Sequence, residues 1–165
     1  MPTLRITPCL WFDDQAEDAA RYYTAIFPNS RITKTTRYGE AGQEIHGRPP
    51  GSVMVVEFEL DGNVFTGLNG GPHFTFNEAV SFQVFCKDQA EIDYYWERLG
   101  AGGDPKAQQC GWLKDRYGLS WQVVPRIMIE YLTTDNQAGR ERAFAAMMQM
   151  GKLDIAALKK AFEGR

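Results

Sequence analysis

The side chains best equipped for chemistry in this 165-residue chain are few: His46 and His73, the thiols of Cys9, Cys86 and Cys110, and the carboxylates Glu57 and Glu59. A zinc, nickel or iron site wants several imidazoles, thiolates or carboxylates converging on one ion. His46 stands in a Gly- and Pro-rich run, residues 39–52 (GEAGQEIHGRPPGS), and His73 follows Gly-Gly-Pro, so neither falls on a strand that would line a cavity. We read His46 as a solvent-facing loop residue and His73 as a local hydrogen-bonding one. No two cysteines form a CxxC pair, which excludes a zinc knuckle or a thioredoxin-type motif. They read as small packed groups in a reducing, cytoplasmic setting. Cys9 alternates with Thr7 and Trp11 and could face a cavity, but no base or cation that would activate its thiolate can be placed beside it. Glu57 and Glu59 share one strand face and read as solvated rather than as an acid/base pair.

The elements that must position these groups follow a repeated order. Leu4 to Phe12 reads as a buried strand, and Asp14 with Glu17 as a capping box opening a helix whose apolar stripe is Ala16, Ala19, Ala20, Tyr23 and Phe27. Pro28-Asn29 ends that helix. A Thr-rich strand at 31–38, polar enough for a sheet edge, leads into the 39–52 loop. Strands at 53–60 and 63–68 flank Asp61-Gly62, a two-residue hairpin turn. The order then restarts with a strand at 79–86 and a helix opened by Asp88 and Glu91. Ile92, Tyr95, Trp96 and Leu99 form its buried stripe, and Gly100 sits where a left-handed C-cap belongs. Short strands are expected at 106–109, 111–114 and 119–124, with 115–118 as a turn. Asp-Gln-Ala-Glu occurs at 14–17 and again at 88–91, each time at the strand-to-helix junction. Its matching place in two like element orders indicates an internal duplication.

From Ile127 the pattern is helical, with Ala143, Phe144, Met147 and Met148 as one stripe. Asp154 caps a last helix bearing Ile155, Leu158 and Phe162, a stripe that needs a partner surface. The net charge of −3, with no Lys/Arg run longer than two, gives no footprint for nucleic acid. The apolar stretches fall well short of the ~20 residues of a spanning helix, and Met1 to Arg5 lacks a signal-peptide core.

Residues 70–99 (GGPHFTFNEAVSFQVFCKDQAEIDYYWERL) and 110–125 (CGWLKDRYGLSWQVVP) resemble the PhnB-like branch of the vicinal oxygen chelate (glyoxalase/bleomycin resistance/dioxygenase) superfamily. Residues 6–30 and the tail 147–162 look like the same branch. The resemblance implies an α+β fold of paired βαβββ modules around a cavity, with a C-terminal helical tail. The boundaries would be 1–69 for the first module, 70–78 for a linker, 79–125 for the second module and 126–165 for the tail. It also implies a homodimer, and some branch members carry the label of demethylubiquinone methyltransferase.

Metal-dependent superfamily members bind a divalent ion through inner-strand His, Gln or carboxylate side chains. Carried onto this chain, those positions fall near Thr7, near Gly67, near Ser81 or Phe82, and at Gln122, of which only Gln122 could ligate, and weakly. The expectation is therefore a pocket for an unidentified small molecule, without a conventional metal site and with no cofactor. Its lining candidates are Thr7, Cys9, Trp11, Phe74, Ser81, Gln83, Trp112 and Gln122. Trp11, Trp112 and Trp121 offer aromatic area for a planar ligand. The competing readings are a metal-assisted lyase, isomerase or dioxygenase with a displaced divalent site, and a scaffold whose tail drives assembly. The methyltransferase label lacks its glycine-rich strand-to-helix turn, because Gly100-Ala101-Gly102-Gly103 follows a helix and precedes a strand.

Overall fold

The computed structural model describes residues 6–165, which divide into two compact units between Thr75 and Phe76, inside the expected linker. Leu4 and Arg5 of the expected first strand lie outside the described residues, as does the rest of the Met1–Arg5 segment.

In the first unit a four-stranded sheet has the order β1 (Cys9–Phe12), β4 (Asn63–Asn69), β3 (Val53–Leu60), β2 (Arg31–Arg37), with β1 parallel to β4 and the other pairs antiparallel. The Thr-rich β2 is an edge strand, as its polarity predicts. Helix α1 (Ala16–Ile26) covers one face through Ala16, Ala19, Ala20, Tyr23 and Ile26. Tyr23 and Phe58 are fully buried against each other, with ring centroids 6.4 Å apart. Each such side chain is worth roughly 2–3 kcal/mol of burial. Gly67 lets the helix approach, because a Cβ there would lie 3.2 Å from that of Ala16. At the hairpin, Asp61 and Gly62 take φ of +48° and +79°, the left-handed pair that a tight two-residue turn requires.

Three details of this unit differ from the sequence reading. β1 begins at Cys9 rather than at Leu4. The 39–52 segment contains a single helical turn, α2 (Gln43–His46), set between Gly42 and Gly47 in left-handed geometry. Asp14 does not cap α1; Gln15 occupies the cap position without a side-chain bond, and the Ala16 N–H donates instead to Asn69 Oδ1 at 2.8 Å. Asn69, 2% exposed, also donates to the Val53 carbonyl, so the end of β4 both caps the helix and ties down β3.

The second unit carries β5 (Ser81–Cys86), β7 (Ser120–Pro125) and β6 (Trp112–Lys114) in that spatial order, with β5 parallel and β6 antiparallel to β7. Helix α3 (Gln89–Gly100) buries Ile92 and Leu99. Here the cap forms: Asp88 accepts from the Glu91 N–H at 2.9 Å, and Glu91 reaches back to accept from the Lys87 N–H, one residue before the cap. Gly100 is the last helical residue, and the left-handed glycine is Gly102. The strand expected at 106–109 is a 3₁₀ turn (Pro105–Ala107), leaving one isolated bridge between Gln109 and Trp112. Pro105 has no N–H for a ladder, and Asp104 caps the turn through the Lys106 N–H. The module is thus one strand short.

Helices α4 (Arg126–Thr133), α5 (Gln137–Met147) and α6 (Ile155–Glu163) complete this unit. Asp154 caps α6 as expected. The Ile155, Leu158 and Phe162 stripe is not left open: Leu158 is fully buried with Met128, Tyr131, Ala143 and Leu153, and Phe162 stacks on Tyr131 at 4.1 Å. The tail is tied to the sheet layer by main-chain bonds from the Cys110 and Gly111 N–H groups to the Met150 and Gly151 carbonyls. Gln89 clamps it as well, donating to the Leu153 carbonyl and accepting from the Ile155 N–H. No described helix is long and apolar enough to cross a membrane.

Candidate functional site

Each sheet has one face covered by its helix and one open face, and strand alternation sorts the candidates between them. In the first unit the open face carries Cys9 beside Thr66 beside Glu57, and next to them Trp11 beside Leu68 beside Val55. Glu57 thus shares a face with Cys9, which the sequence reading of a solvated outer face did not connect. Glu59, on the same face, pairs with Arg31 at 3.1 Å. Trp11 is fixed by its indole N–H, which donates to the Gly71 carbonyl at 2.9 Å. Gly70 makes room for it, since a Cβ there would enter the indole ring. Phe74, 65% exposed, stands edge-on to Trp11 at 4.9 Å. His73 also lies edge-on to Trp11 at 6.5 Å and makes no hydrogen bond among the described residues, so its local role is aromatic contact. His46 tilts against Tyr38, accepts from the Arg48 N–H at Nδ1 and meets the Ala41 carbonyl through Nε2.

In the second unit the open face carries Ser81, Gln83 and Phe85 on β5, Ser120, Gln122 and Val124 on β7, and Trp112 and Lys114 on β6. Ser81, Gln83, Trp112 and Gln122 are therefore brought together on one surface. Gln122 donates its amide to Ser81 Oγ at 2.8 Å. Phe82, the alternative to Ser81, belongs to the covered face, where it meets Trp121. Trp121 is itself a core residue, 3% exposed, with its N–H donated to buried Asp115.

A hollow of about 780 Å³ lies over this surface, within the range of small-molecule sites. Its floor is Gln83, Phe85, Trp112, Ser120, Gln122 and Val124, and its wall is the tail, with Met128, Ile129 and Leu132 of α4, Phe144 and Met147 of α5, and Met148. Glu78, Lys106 and Lys114 are its charged lining residues. A hydrogen bond from Lys114 holds the Glu78 carboxyl below its ordinary value. The tail residues and Phe85 were missed from sequence. Phe85 was recoverable, because it alternates with Gln83; the tail wall was not, because its stripe reads equally as a surface for a partner. A second hollow, about 440 Å³, lies in the first unit among Asp14, Glu17, Asp18, Arg48 and Asn69 and is polar.

Equal places in the two ladders can be set side by side. Cys9 pairs with Thr66 as Gln83 pairs with Gln122, so the counterpart of Gln122 is Thr66, and counting two residues back from Cys9, ahead of β1, puts Thr7 at the place of Ser81. Gly67 faces α1 and is excluded. In the first unit these places hold two threonine hydroxyls, and in the second a serine hydroxyl and an amide, none of which suits a divalent transition metal. Among the described residues no three His, Cys, Asp or Glu side chains are grouped to hold an ion. Cys86 is buried and its thiol is pushed up to about 12 by desolvation, then by Glu91 and Asp88, so it is no nucleophile. Cys9 is exposed and Cys110 partly buried. Of the glycines between 100 and 103, Gly100 lies against Gln108 and Leu113, Gly102 against Arg116 and Gly103 against the Lys114 carbonyl.

Residues 4–124 match the family model described as 3-demethylubiquinone-9 3-methyltransferase, and the match ends before α4. Among solved structures, a Bacillus cereus PhnB protein described as a putative 3-demethylubiquinone-9 3-methyltransferase is 33% identical. That alignment has a TM-score of 0.62 and covers 74% of this chain and 99% of that one. A Pseudomonas aeruginosa protein is 18% identical with a TM-score of 0.56, covering 74% and 98%. The fosfomycin resistance protein FosX from Mesorhizobium loti is 16% identical with a TM-score of 0.54, covering 81% and 100%. At those two identities the likeness is one of fold. No curated protein matches the chain.

Proposed function

The chain belongs to the family described as 3-demethylubiquinone-9 3-methyltransferase, the PhnB-like branch of the glyoxalase/bleomycin resistance/dioxygenase superfamily, and from that premise we propose that it is a small-molecule-binding protein working without a conventional metal site. The observation that carries this reading is the hollow of about 780 Å³ over β5, β7 and β6, mostly apolar but with Gln83, Ser120 and Gln122 converging on its floor. That mixture, apolar walls with a few placed polar groups, is the usual make-up of a ligand pocket. Thr7, Cys9, Trp11 and Phe74 belong to the first unit, line neither of the two hollows and form no part of this proposal. The metal-assisted lyase, isomerase or dioxygenase reading has no described cluster of ligands to support it, and the methyltransferase label has no glycine turn. Association into a homodimer, drawn from the superfamily, and a cytoplasmic setting, supported by three free thiols, are parts of the same proposal. A monomeric mass in dilute solution would remove the first.

The test is a thermal-shift screen of the chain against aromatic and dicarbonyl fragments and, separately, against zinc, nickel and manganese ions, with elemental analysis of protein purified without chelator. A ligand that binds only the folded state raises the melting temperature by mass action. Fragments are expected to stabilise the protein and metals to leave it unchanged; stoichiometric metal in the purified protein would favour the enzyme reading instead.

A further inference from the structure

We propose that α4 and α5, which lie past the last residue matched by the family model, turn the open face of the second sheet into a pocket selective for a neutral, ring-bearing molecule whose polar end offers both a hydrogen-bond donor and an acceptor. This rests on the small-molecule reading above and specifies its ligand.

The polar floor is built for such an end. Ser120 is 1% exposed, lines the hollow, and its hydroxyl has no hydrogen-bond partner among the described residues. A buried hydroxyl left unpaired is costly, and a ligand atom at that point removes the cost. Next to it, Gln122 spends its amide on Ser81, which leaves its carbonyl oxygen as a spare acceptor. Gln83, its neighbour in the ladder, makes no side-chain hydrogen bond among the described residues and so keeps both a donor and an acceptor. A hydroxyl and two carboxamides can read an edge that both gives and takes hydrogen bonds. They cannot balance a full charge.

The charges nearby do not alter this. Lys114 is held in an ion pair with Glu78, and Lys106 stands on the exposed 3₁₀ turn, where solvent screens it. The other end of the hollow is apolar. Trp112 and Phe85 supply planar faces, and Ile129, Leu132, Phe144 and Met148 stand exposed along the tail helices facing the same hollow. Met147 and Met148 are unbranched and polarizable, suited to closing over rings of differing outline. Without the tail the sheet face would be an open floor.

The test is titration calorimetry of the full chain with naphthamide, naphthoate and naphthalene, which share a ring system and differ in the polar end. Naphthamide is expected to bind about tenfold more tightly than naphthoate and more tightly than naphthalene. Ser120→Ala with Gln83→Leu and Gln122→Leu should bring naphthamide to within about twofold of naphthalene, since the discriminating bonds are gone. Leu132→Glu and Phe144→Glu, both at exposed positions, should weaken all three by about tenfold while the melting temperature stays that of the wild type. Naphthoate binding as tightly as naphthamide overturns the ligand class and leaves the small-molecule reading standing. Tail variants that bind like the wild type, or that change only the mass of the assembly, overturn the role of the tail and mark this face as an interface between copies. Failure of all three probes to bind the wild-type chain overturns the proposal together with the reading beneath it.

Discussion

Across the open face of the first sheet run Cys9, Thr66 and Glu57; at the same ladder positions of the second sheet stand Gln83, Gln122 and Trp112. The frame is duplicated, yet the chemistry on it has diverged completely. The helix caps diverge in the same way. Asn69 and Pro125 both end the strand parallel to their module's first, opposite Phe12 and Cys86. Asn69 reaches over to cap α1, whereas Pro125 has no polar side chain, so α3 is capped locally by Asp88 and the chain runs on into α4. One tetrapeptide, Asp-Gln-Ala-Glu, therefore does two different jobs. In the second module its glutamine holds the tail, and the tail walls the hollow.

The largest effect separating the modules is expected where the tail meets the second sheet. Gly111 has φ +82°, and a Cβ there would lie 3.0 Å from both Leu153 and the Val123 carbonyl. Gly111→Ala should cost about 3 kcal/mol from left-handed strain and overpacking together. Denaturant unfolding would read the loss, and ligand affinity should fall with it; an unchanged midpoint would mean that the tail is not held there. The two caps come next. Asn69→Ala orphans a buried N–H and a partly buried carbonyl and should cost about 2 kcal/mol, against about 1 kcal/mol for Asp88→Ala at a solvent-exposed cap. Equal losses would undo the contrast drawn between the modules.

Much of this frame was legible in the residues. The hairpin at Asp61-Gly62, the alternation of β3, the Asp88 cap and the Asp154 cap all depend on neighbours a few positions apart, and sequence carries such information directly. What was not legible depended on distant partners. The cap of α1 comes from Asn69, 53 residues from the N–H it accepts. The strand expected at 106–109 yields to a turn set by Pro105 and Asp104. The apolar stripe of α6 is consumed by α4 and α5 rather than left for another chain. Four pocket candidates, Ser81, Gln83, Trp112 and Gln122, share one sheet face because period-two alternation sorts them; the helical wall opposite has no such signature.

The smallest effect concerns Cys86. Its folded value near 12 exceeds the ordinary thiol value of 9.0 because burial disfavours the thiolate. Between those limits the unfolded chain gives up its proton more readily than the folded one. Stability is therefore unaffected by this group below pH 9 and declines as pH rises toward 12. At pH 8 a thiol reagent should label Cys9, with Cys110 slower, and reach Cys86 only on unfolding; rapid labelling of Cys86 would contradict its burial.

The central claim is that the second module and its tail, not the first module, hold the ligand. Chemical-shift mapping on isotope-labelled protein titrated with naphthamide tests it most directly. Shifts at the Gln83 and Gln122 side-chain amides, the Trp112 indole and the Leu132, Phe144 and Met148 signals are predicted; shifts gathered at Cys9, Trp11, Glu57 and Thr66 would contradict it.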